Sequence, residues 1–269
     1  MTKKDRRPVS LVVCDLDGTL LGPGGTGIDK AKKVADFSRS HSIGITVATG
    51  RVYGAVVEYV KCLGISLPVI TNGGARVAAV GAEPIYEKII DAELARAVSR
   101  ELRSLNLPFY YLSGKDILTE WEGPETIAYS ESISFDIRVV PSLEPLGVSP
   151  TQIAVRAQAS EAPRLLELFR RRWSAKLTVI RSLPHLIEFQ APGVSKASAL
   201  EFLAGSYGIG PDRVLAVGDG LNDLDMLSWA GRSACVGNGC QEAKAVASYV
   251  ASGTYAEGVM EAVKNFIGT

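Results

Sequence analysis

A short apolar segment that ends abruptly in two carboxylates constrains the fold of this chain more than any other feature. The segment, residues 11–19, reads LVVCDLDGT. A brief run of aliphatic and β-branched residues is typical of a buried strand in a parallel sheet. Open α/β sheets bind their ligands in the crevice beyond the carboxyl ends of such strands. The sequence therefore places Asp15 and Asp17 where a ligand site is expected.

The two carboxylates share one side of the chain while the backbone stays extended, because alternate residues of a strand face the same way. Carboxylates held this close repel each other, so either one is protonated or a cation neutralises them. Mg²⁺ meets this requirement, since it prefers oxygen ligands and is held by one or two carboxylates together with phosphate oxygens. The pattern Asp-x-Asp-Gly-Thr at a strand end therefore predicts phosphate chemistry with Mg²⁺ as the cofactor.

The charge balance argues against several kinds of partner. Lys+Arg 29 equals Asp+Glu 29, so no net field favours nucleic acid or an anionic membrane. Basic residues at positions 3–7 precede the apolar run, but Asp15 and Asp17 interrupt that run too early for a secretion signal. No apolar segment approaches the length of a membrane span. We therefore expect a cytoplasmic protein, either a monomer or a homodimer.

Strand and helix patterns alternate at both ends of the chain. Strand patterns over residues 43–49 and 67–71 follow the first strand, and Asp29 is expected to cap the first helix. Three β-then-α units in succession predict an α/β fold with a doubly wound parallel sheet. The same alternation returns after Ser195, with a strand pattern over residues 213–217.

The middle of the chain has a different pattern. Between about 82 and 190, six strand patterns, among them residues 152–156 and 186–190, are separated by two helix patterns. A chain of 269 residues is long enough for two domains, because a single core stops growing at about 250–300 residues. We therefore interpret residues 82–190 as an inserted α+β domain, and residues 1–81 and 191–269 as a discontinuous core domain.

Four separate pieces of sequence place polar groups at strand ends or helix starts. Taken singly, each could be an ordinary turn or helix cap. Lys196 is harder to explain in this way, because it follows the expected N-cap Ser195, where a cation opposes the helix dipole. A phosphate ligand would reverse the sign of that interaction. The pieces are Asp15 with Asp17, Thr49, Lys196, and Asp219 with Asn222 and Asp223.

Together, the four pieces resemble the motifs of the haloacid dehalogenase (HAD) superfamily of phosphohydrolases. Residues 15–19 (DLDGT) are similar to its first motif, Thr49 in ATGR to its second, Lys196 in GVSK to its third and residues 218–223 (GDGLND) to its fourth. All four occur in the order of the family, and the resemblance covers the whole chain. It implies a Rossmann-like, HAD-like core that carries an inserted cap.

Three further segments resemble the Cof-like IIB subgroup, in which the cap is of the α+β C2B type. They are residues 70–73 (ITNG), 237–238 (GN) and 257–259 (EGV). Such a cap closes over the site, excludes water and selects the leaving group. Two positions depart from the subgroup's pattern. Gly74 stands where alanine is frequent, and Ala197 follows the lysine where glycine is usual.

The resemblance implies a phosphoryl transfer in two steps. Asp15 attacks phosphorus to form an aspartyl-phosphate, and Asp17 first protonates the leaving alcohol and then takes a proton from the hydrolytic water. The implied ligands of Mg²⁺ are the Asp15 carboxylate, the Asp17 main-chain carbonyl, Asp219 and, through water, Asp223. The implied phosphate-binding groups are Thr49, Gly50, Lys196 and Asn222, with Arg51 as a further candidate.

The function implied is that of a Mg²⁺-dependent phosphatase whose partner is a small phosphorylated metabolite, a sugar phosphate or related phosphomonoester. Three alternatives stay open. The first is a specialised member of the subgroup, such as a mannosyl-3-phosphoglycerate, sucrose-phosphate or phosphoglycolate phosphatase. The second is a phosphomutase, which would use the same nucleophile. The third is a metabolite-binding module without catalysis, against which the intact pair of Asp15 and Asp17 argues.

Overall fold

The computed structural model of the chain describes residues 8–268. The basic residues at positions 3–7, considered above for a secretion signal, therefore lie outside the described residues. Across residues 8–268, none of the helices combines the length and the apolar composition needed to cross a bilayer.

Short strands and α-helices alternate along the described chain, joined in places by 3₁₀ turns. The strands are β1 (Leu11–Cys14), β2 (Gly44–Val47), β3 (Val69–Thr71), β4 (Arg76–Ala78), β5 (Tyr86–Glu87), β6 (Phe109–Ser113), β7 (Asp116–Thr119), β8 (Ile137–Val139), β9 (Gln152–Arg156), β10 (Thr178–Leu183), β11 (Leu186–Gln190), β12 (Val214–Gly218), β13 (Arg232–Cys235) and β14 (Tyr249–Val250). The helices are α1 (Ile28–Ser40), α2 (Val57–Leu63), α3 (Ala92–Ser104), α4 (Pro124–Ile133), α5 (Ala162–Trp173), α6 (Lys196–Ser206), α7 (Leu224–Trp229), α8 (Gln241–Val246) and α9 (Tyr255–Ile267).

The described residues divide into two compact units. The first contains the residues up to Gly50, then Val57–Tyr86 and everything from Ser195 onwards. The second contains Arg51–Val56 and Glu87–Val194. The second unit thus begins a few residues later than the inserted domain expected at 82–190, ends a few residues later, and includes a short segment from before it.

A parallel sheet forms the centre of the first unit, with strand order β14-β13-β12-β1-β2. Strand β1 is buried at every position and pairs with β2 on one side and β12 on the other. In register, Cys14 lies opposite both Val47 and Val217. Because the three strands are parallel, the residues that follow each of them meet at one edge of the sheet. The candidate site described below lies at this edge.

The third strand departs from the predicted pattern. Residues 67–71 were expected to form a further parallel strand followed by a helix. Instead, β3 is joined to the main sheet by one parallel bridge, Ala48 with Ile70, and it pairs antiparallel with β4. A 3₁₀ turn at Asn72–Gly74 connects the two strands, in place of a helix. Asn72, Gly73 and Gly74 all adopt positive φ, a conformation that a right-handed α-helix does not allow.

Helices cover both faces of the parallel sheet, as a doubly wound fold requires. Leu11 and Val13 of β1 pack in one cluster with residues of α6 and α7, while α1 contacts β2 and α9 contacts β12. The expected cap of α1 is wrong: Gly27 holds the N-cap position at φ 86, and Asp29 lies inside the first turn. Ser195 caps α6 as predicted, through a reciprocal pair of hydrogen bonds with Ser198.

The second unit is built on a six-stranded sheet of order β10-β11-β9-β6-β7-β8. Its pairings are antiparallel apart from that of β7 with β8. Two amphipathic helices, α3 and α5, bury their apolar stripes in a cluster with alternate residues of β6, β9 and β11. Strands β9 and β11 coincide with the predicted segments, whereas α4 and β8 were not predicted.

Candidate active site

Asp15 is the first residue after β1, an interior strand of the parallel sheet. Its backbone N–H donates to the carbonyl of Val217 (2.9 Å), which extends the ladder between β1 and β12 by one bond. The side chain is only 5% exposed. A carboxylate is thereby fixed in a buried position at the carboxyl edge of the sheet, where a charge is unfavourable unless something offsets it.

Lys196 supplies the nearest positive charge. Its Nζ atom donates to Oδ1 of Asp15 (2.6 Å) and to Oδ1 of Asp223 (2.7 Å), and the residue is 2% exposed. Lys196 is the first residue of α6, so the Ser195 cap fixes the backbone from which it projects. Burial alone would lower the pKa of Lys196, but the carboxylates of Asp15 and Asp223 outweigh burial and raise it.

Asp223 is held by the loop that follows β12. Its Oδ2 atom accepts hydrogen bonds from the backbone N–H groups of Asp219 (3.0 Å) and Gly220 (2.9 Å), while Oδ1 faces Lys196. A Cβ on Gly218 would lie 2.6 Å from the Cβ of Asp223, so glycine is required for this approach. The carboxylate therefore orders its own loop and completes the ion pair with Lys196.

Asp219 is joined to the loop after β1. Thr19 donates from Oγ1 to Oδ1 of Asp219 (2.6 Å), and a Cβ on Gly18, at φ 83, would lie 2.4 Å from Oδ2 of Asp219. Burial raises the pKa of Asp219 to about 6, Thr19 opposes the increase, and the charges of Asp223 and Asp17 add to it. The carboxylate is thus held in place but is costly to ionise when no cation is near.

The carboxylates of Asp15, Asp219 and Asp223 form a set suited to a metal ion. One oxygen from each lies within 4.8 Å of the others. Burial raises the pKa of Asp15 well above its usual range; Lys196 opposes this, and Asp223 and Asp219 add to it. The single ammonium group thus leaves the negative charge of the set only partly offset. Buried hard oxygen donors with excess negative charge fit Mg²⁺ or a similar cation.

Asp17 and Asn222, two further predicted residues, are exposed. The backbone of Asp17 bridges to Leu21, and its side chain is outside the three-carboxylate set, although its charge affects Asp219. Asn222 lies in the 3₁₀ turn Leu221–Asp223, next to the buried carboxylate.

Thr49 and Gly50 follow β2, at the same edge of the sheet as Asp15. Thr49 is 1% exposed; its N–H donates to Ile70 (2.9 Å), and its carbonyl accepts from Gly73 (3.1 Å). Arg51 belongs to the second unit, where its Nη1 donates to the carbonyl of Ile133 (3.3 Å). The structure therefore unites Asp15, Lys196, Asp219 and Asp223, with Thr49 and Gly50 at the same edge of the sheet. Arg51 clusters with the residues of the second unit.

Two residues of the site were given no role from the sequence. Thr19 holds Asp219, and Asn238 donates from Nδ2 to the carbonyl of Gly18 (2.7 Å). A hydroxyl just after the Asp-x-Asp pattern was a visible signal for Thr19. For Asn238 the signals were its place after a glycine at a strand end and the resemblance of residues 237–238 to the Cof-like subgroup, and neither identifies a partner.

Comparison with known proteins assigns the family. A sequence model of the haloacid dehalogenase-like hydrolases matches residues 12–263. The 5-amino-6-(5-phospho-D-ribitylamino)uracil phosphatase YcsE of Bacillus subtilis strain 168 is 24% identical over 259 residues, which cover 96% of either chain. A solved haloacid dehalogenase-like hydrolase from Bacillus subtilis superposes with TM-score 0.85 at 26% identity, covering 95% of this chain and 99% of that one.

A third relative is longer. The chloroplastic endoribonuclease YBEY of Arabidopsis thaliana is 24% identical over 275 residues, an alignment that covers 96% of this chain but 46% of the relative. This chain therefore spans about half the length of that protein.

The chain belongs to the haloacid dehalogenase-like hydrolases, since the family match extends over nearly all of it. The resemblance to the HAD superfamily and its Cof-like group is confirmed, as is the α/β fold with a parallel core sheet. The prediction of a phosphatase enzyme is likewise confirmed by the family and by relatives that carry that name.

Proposed function

We propose that this enzyme is a Mg²⁺-dependent phosphatase that hydrolyses a small phosphorylated metabolite through an aspartyl-phosphate. The observation that carries the proposal is the buried contact of Lys196 with both Asp15 and Asp223 beside Asp219. A buried carboxylate kept next to an ammonium group, at the open edge of the sheet, is suited to act as a nucleophile towards an anionic phosphate.

Asp15 and Asp17 perform the two halves of the reaction. An oxygen of Asp15 forms a bond to phosphorus as the bond from phosphorus to the ester oxygen breaks, and Asp17 gives its proton to the departing alcohol. Water then attacks the phosphorus of the aspartyl-phosphate as the bond from phosphorus to the Asp15 oxygen breaks. Asp17 takes a proton from the water, and inorganic phosphate leaves. The exposed position of Asp17 supports this role, because its side chain can exchange protons with solvent.

The remaining groups bind the transferring phosphoryl oxygens. Lys196 offers a positive charge beside the nucleophile, Thr49 a hydroxyl and Gly50 a backbone N–H, and Asn222 contributes its amide. Backbone hydrogen bonds to Ile70 and Gly73 hold the main chain of Thr49, from which the hydroxyl projects. Fixed donors favour the transition state because they need no reorganisation during the reaction.

Asp15, Asp219 and the main-chain carbonyl of Asp17 would hold Mg²⁺, and Asp223 would complete the acidic set that Asp15 and Asp219 form. When bound, the ion brings the like-charged nucleophile and phosphate together and offsets the charge that develops on the phosphoryl oxygens. The raised pKa values of Asp15 and Asp219 support this assignment, because a nearby cation would restore the ionised forms.

We further propose that the substrate is a sugar phosphate or related phosphomonoester, and that the inserted part, close to residues 82–190, is a separate domain that helps to select it. The name of YcsE supports the first part, since its substrate is a ribityl phosphate, a phosphomonoester of a sugar alcohol. That compound therefore belongs in the first panel of substrates.

The test is phosphate release from a panel of phosphorylated metabolites, with Mg²⁺ or with EDTA. We expect release that needs Mg²⁺, is abolished in Asp15→Asn and is unchanged in Asp29→Asn, which alters an exposed carboxylate on α1. Mass spectrometry of the acid-quenched enzyme should find phosphate on the peptide that contains Asp15. Release that persists in Asp15→Asn would overturn the nucleophile assignment.

Two other outcomes would leave the site residues as assigned but indicate a different function. Phosphate that stays on the substrate at a new position would indicate a phosphomutase. Tight binding of a metabolite without turnover would indicate a binding module.

A further inference from the structure

The turn between β13 and α8, residues 236–240, is anchored to the loop that follows β12. The N–H of Cys240 donates to the carbonyl of Asp219 (2.8 Å), and the N–H of Gly239 closes the turn on Val236 (2.9 Å). Gly237 is fixed from both sides: its N–H donates to Gly253 (2.8 Å), and its carbonyl accepts from Lys244 (2.7 Å). The turn therefore has a set position relative to Asp219.

Asn238 projects from this turn and joins two further segments. Its Nδ2 donates to the carbonyl of Gly18 (2.7 Å), and its Oδ1 accepts from the backbone N–H of Tyr255 (2.9 Å) at the start of α9. Asparagine suits the position because its amide offers a donor and an acceptor together. The partners also determine which way the amide points, since a carbonyl can only accept and an N–H can only donate.

Gly18 is the link between Asn238 and the reacting groups. It follows Asp17 directly, adopts φ 83 and leaves no room for a Cβ against the carboxylate of Asp219. The same turn thus contacts Asp219 through Cys240 and the loop of Asp17 through Asn238. A change at Asn238 would alter the position of Asp17 relative to Asp219 without touching either side chain.

We propose that Asn238 is a positioning residue for this reaction: by holding the Gly18 carbonyl, it orients Asp17 towards the leaving group. The inference rests on the proposed function, in which Asp17 is the general acid and base. Asn238 itself is exposed. Water can replace its hydrogen bonds when the side chain is removed, so the fold is expected to survive while the loop gains freedom.

Two substitutions separate this role from a purely structural one. Asn238→Asp keeps an oxygen that accepts from Tyr255 N–H but removes the donor to Gly18. Asn238→Ala removes both contacts and adds no charge, so agreement between the two variants excludes an effect of charge. Asn265→Ala, at an exposed position on α9, is the matched control.

The first measurement is hydrogen exchange of the loop amides in the metal-free protein. The N–H groups of Gly18, Leu20 and Leu21 are held by hydrogen bonds inside the loop, to Leu21 and Leu16. We expect these amides to exchange faster in Asn238→Asp and Asn238→Ala and at the wild-type rate in Asn265→Ala. Unchanged exchange in both Asn238 variants would overturn the proposal.

The second measurement is steady-state kinetics with the best substrate of the panel. We expect kcat to fall about 10-fold or more in both Asn238 variants, with KM within about twofold, because misplacement of a catalytic group affects the chemical step. Wild-type kcat in Asn238→Asp, or a rise in KM alone, would overturn the proposal. If the wild type shows no turnover on any substrate, the proposed function fails, and the exchange rates still decide whether Asn238 holds the loop.

Discussion

Lys196 and Asp15 are separated by 181 residues in the chain, yet the Nζ atom of Lys196 lies 2.6 Å from Oδ1 of Asp15. Both side chains are almost completely buried, as is Asp223 on the other side of the ammonium group. The pair joins the first strand of the core to the first turn of α6. Its integrity therefore affects both the stability of the core and the nucleophile.

Lys196→Met should destabilise the metal-free protein at pH 7 by about 3–5 kcal/mol, because breaking a buried ion pair leaves a charge without a partner. Urea unfolding in EDTA measures the change. The control is Lys32→Met, which removes an exposed pair with Asp36 and should change the stability far less, because solvent screens the pair. Similar losses in the two variants would contradict a special role for the buried pair.

Mg²⁺ should raise the melting temperature of the wild type and leave Asp219→Asn unaffected. A free concentration ten times the dissociation constant stabilises a protein by about 1.4 kcal/mol. In EDTA, Asp219→Asn should have a higher melting temperature than the wild type. Burial raises the pKa of Asp219 to about 6, so the folded wild type disfavours the charged form of this side chain, and the neutral variant avoids that cost. A thermal shift with Mg²⁺ that persists in Asp219→Asn would argue against this ligand.

Gly74→Ala should cost more stability than Gly81→Ala. Both glycines have positive φ, 103 and 78, and alanine there costs about 1–2 kcal/mol. A Cβ on Gly74 would also lie 2.1 Å from the carbonyl oxygen of Ser195, whereas nothing is within 4 Å of one on Gly81. Overpacking adds about 1–3 kcal/mol. Ser195 caps α6, the helix that begins with Lys196, so a shift of Ser195 would also move Lys196. We therefore expect kcat to fall in Gly74→Ala and to stay unchanged in Gly81→Ala.

Glu261→Gln should remove a pH-dependent contribution to stability. Hydrogen bonds from the Tyr249 hydroxyl and the N–H groups of Ser252 and Gly253 lower the pKa of Glu261 from 4.5 to about 2. A lowered folded pKa means that the contribution is complete above pH 4.5 and is lost as the pH falls towards 2.

We expect the wild type to exceed Glu261→Gln by about 1 kcal/mol at pH 7, and the difference to shrink below pH 4.5. Urea unfolding at several pH values measures it. Glu201→Gln, an exposed change on α6, should show no such trend. A difference that grows towards low pH would contradict the assignment.

The elements that could be predicted are those in which the apolar residues form a recognisable run or stripe along the sequence. Residues 152–156 and 186–190 are short, largely apolar runs that contain β-branched residues and are typical of buried strands, and they coincide with β9 and β11. Helix α4 has no clear apolar stripe, and its Ile127 is 62% exposed, so the sequence carried no helical signal. Strand β4 is three residues long, too short for any periodicity.

The candidate site follows the same logic. Asp15, Asp219 and Asp223 could be predicted because each follows a buried strand, and parallel strands end at one edge. The link from Thr19 to Asp219 depends on side-chain geometry across 200 residues, and the one from Asn238 to Gly18 on a backbone carbonyl. No spacing of residues in the sequence predicts either hydrogen bond, so only the structure could reveal them.

The position of β1 between β2 and β12 also has a consequence during translation. The ribosome must add the 200 residues that separate Thr19 from Asp219 before β12 can pair with β1. At about 5–20 residues per second, this takes on the order of 10–40 seconds. Throughout that time one edge of an entirely apolar strand is open to other nascent chains. The sheet of the second unit, by contrast, is complete in sequence at Gln190, before β12 begins at Val214. Chaperone dependence of this protein should therefore originate in the first strand of the core.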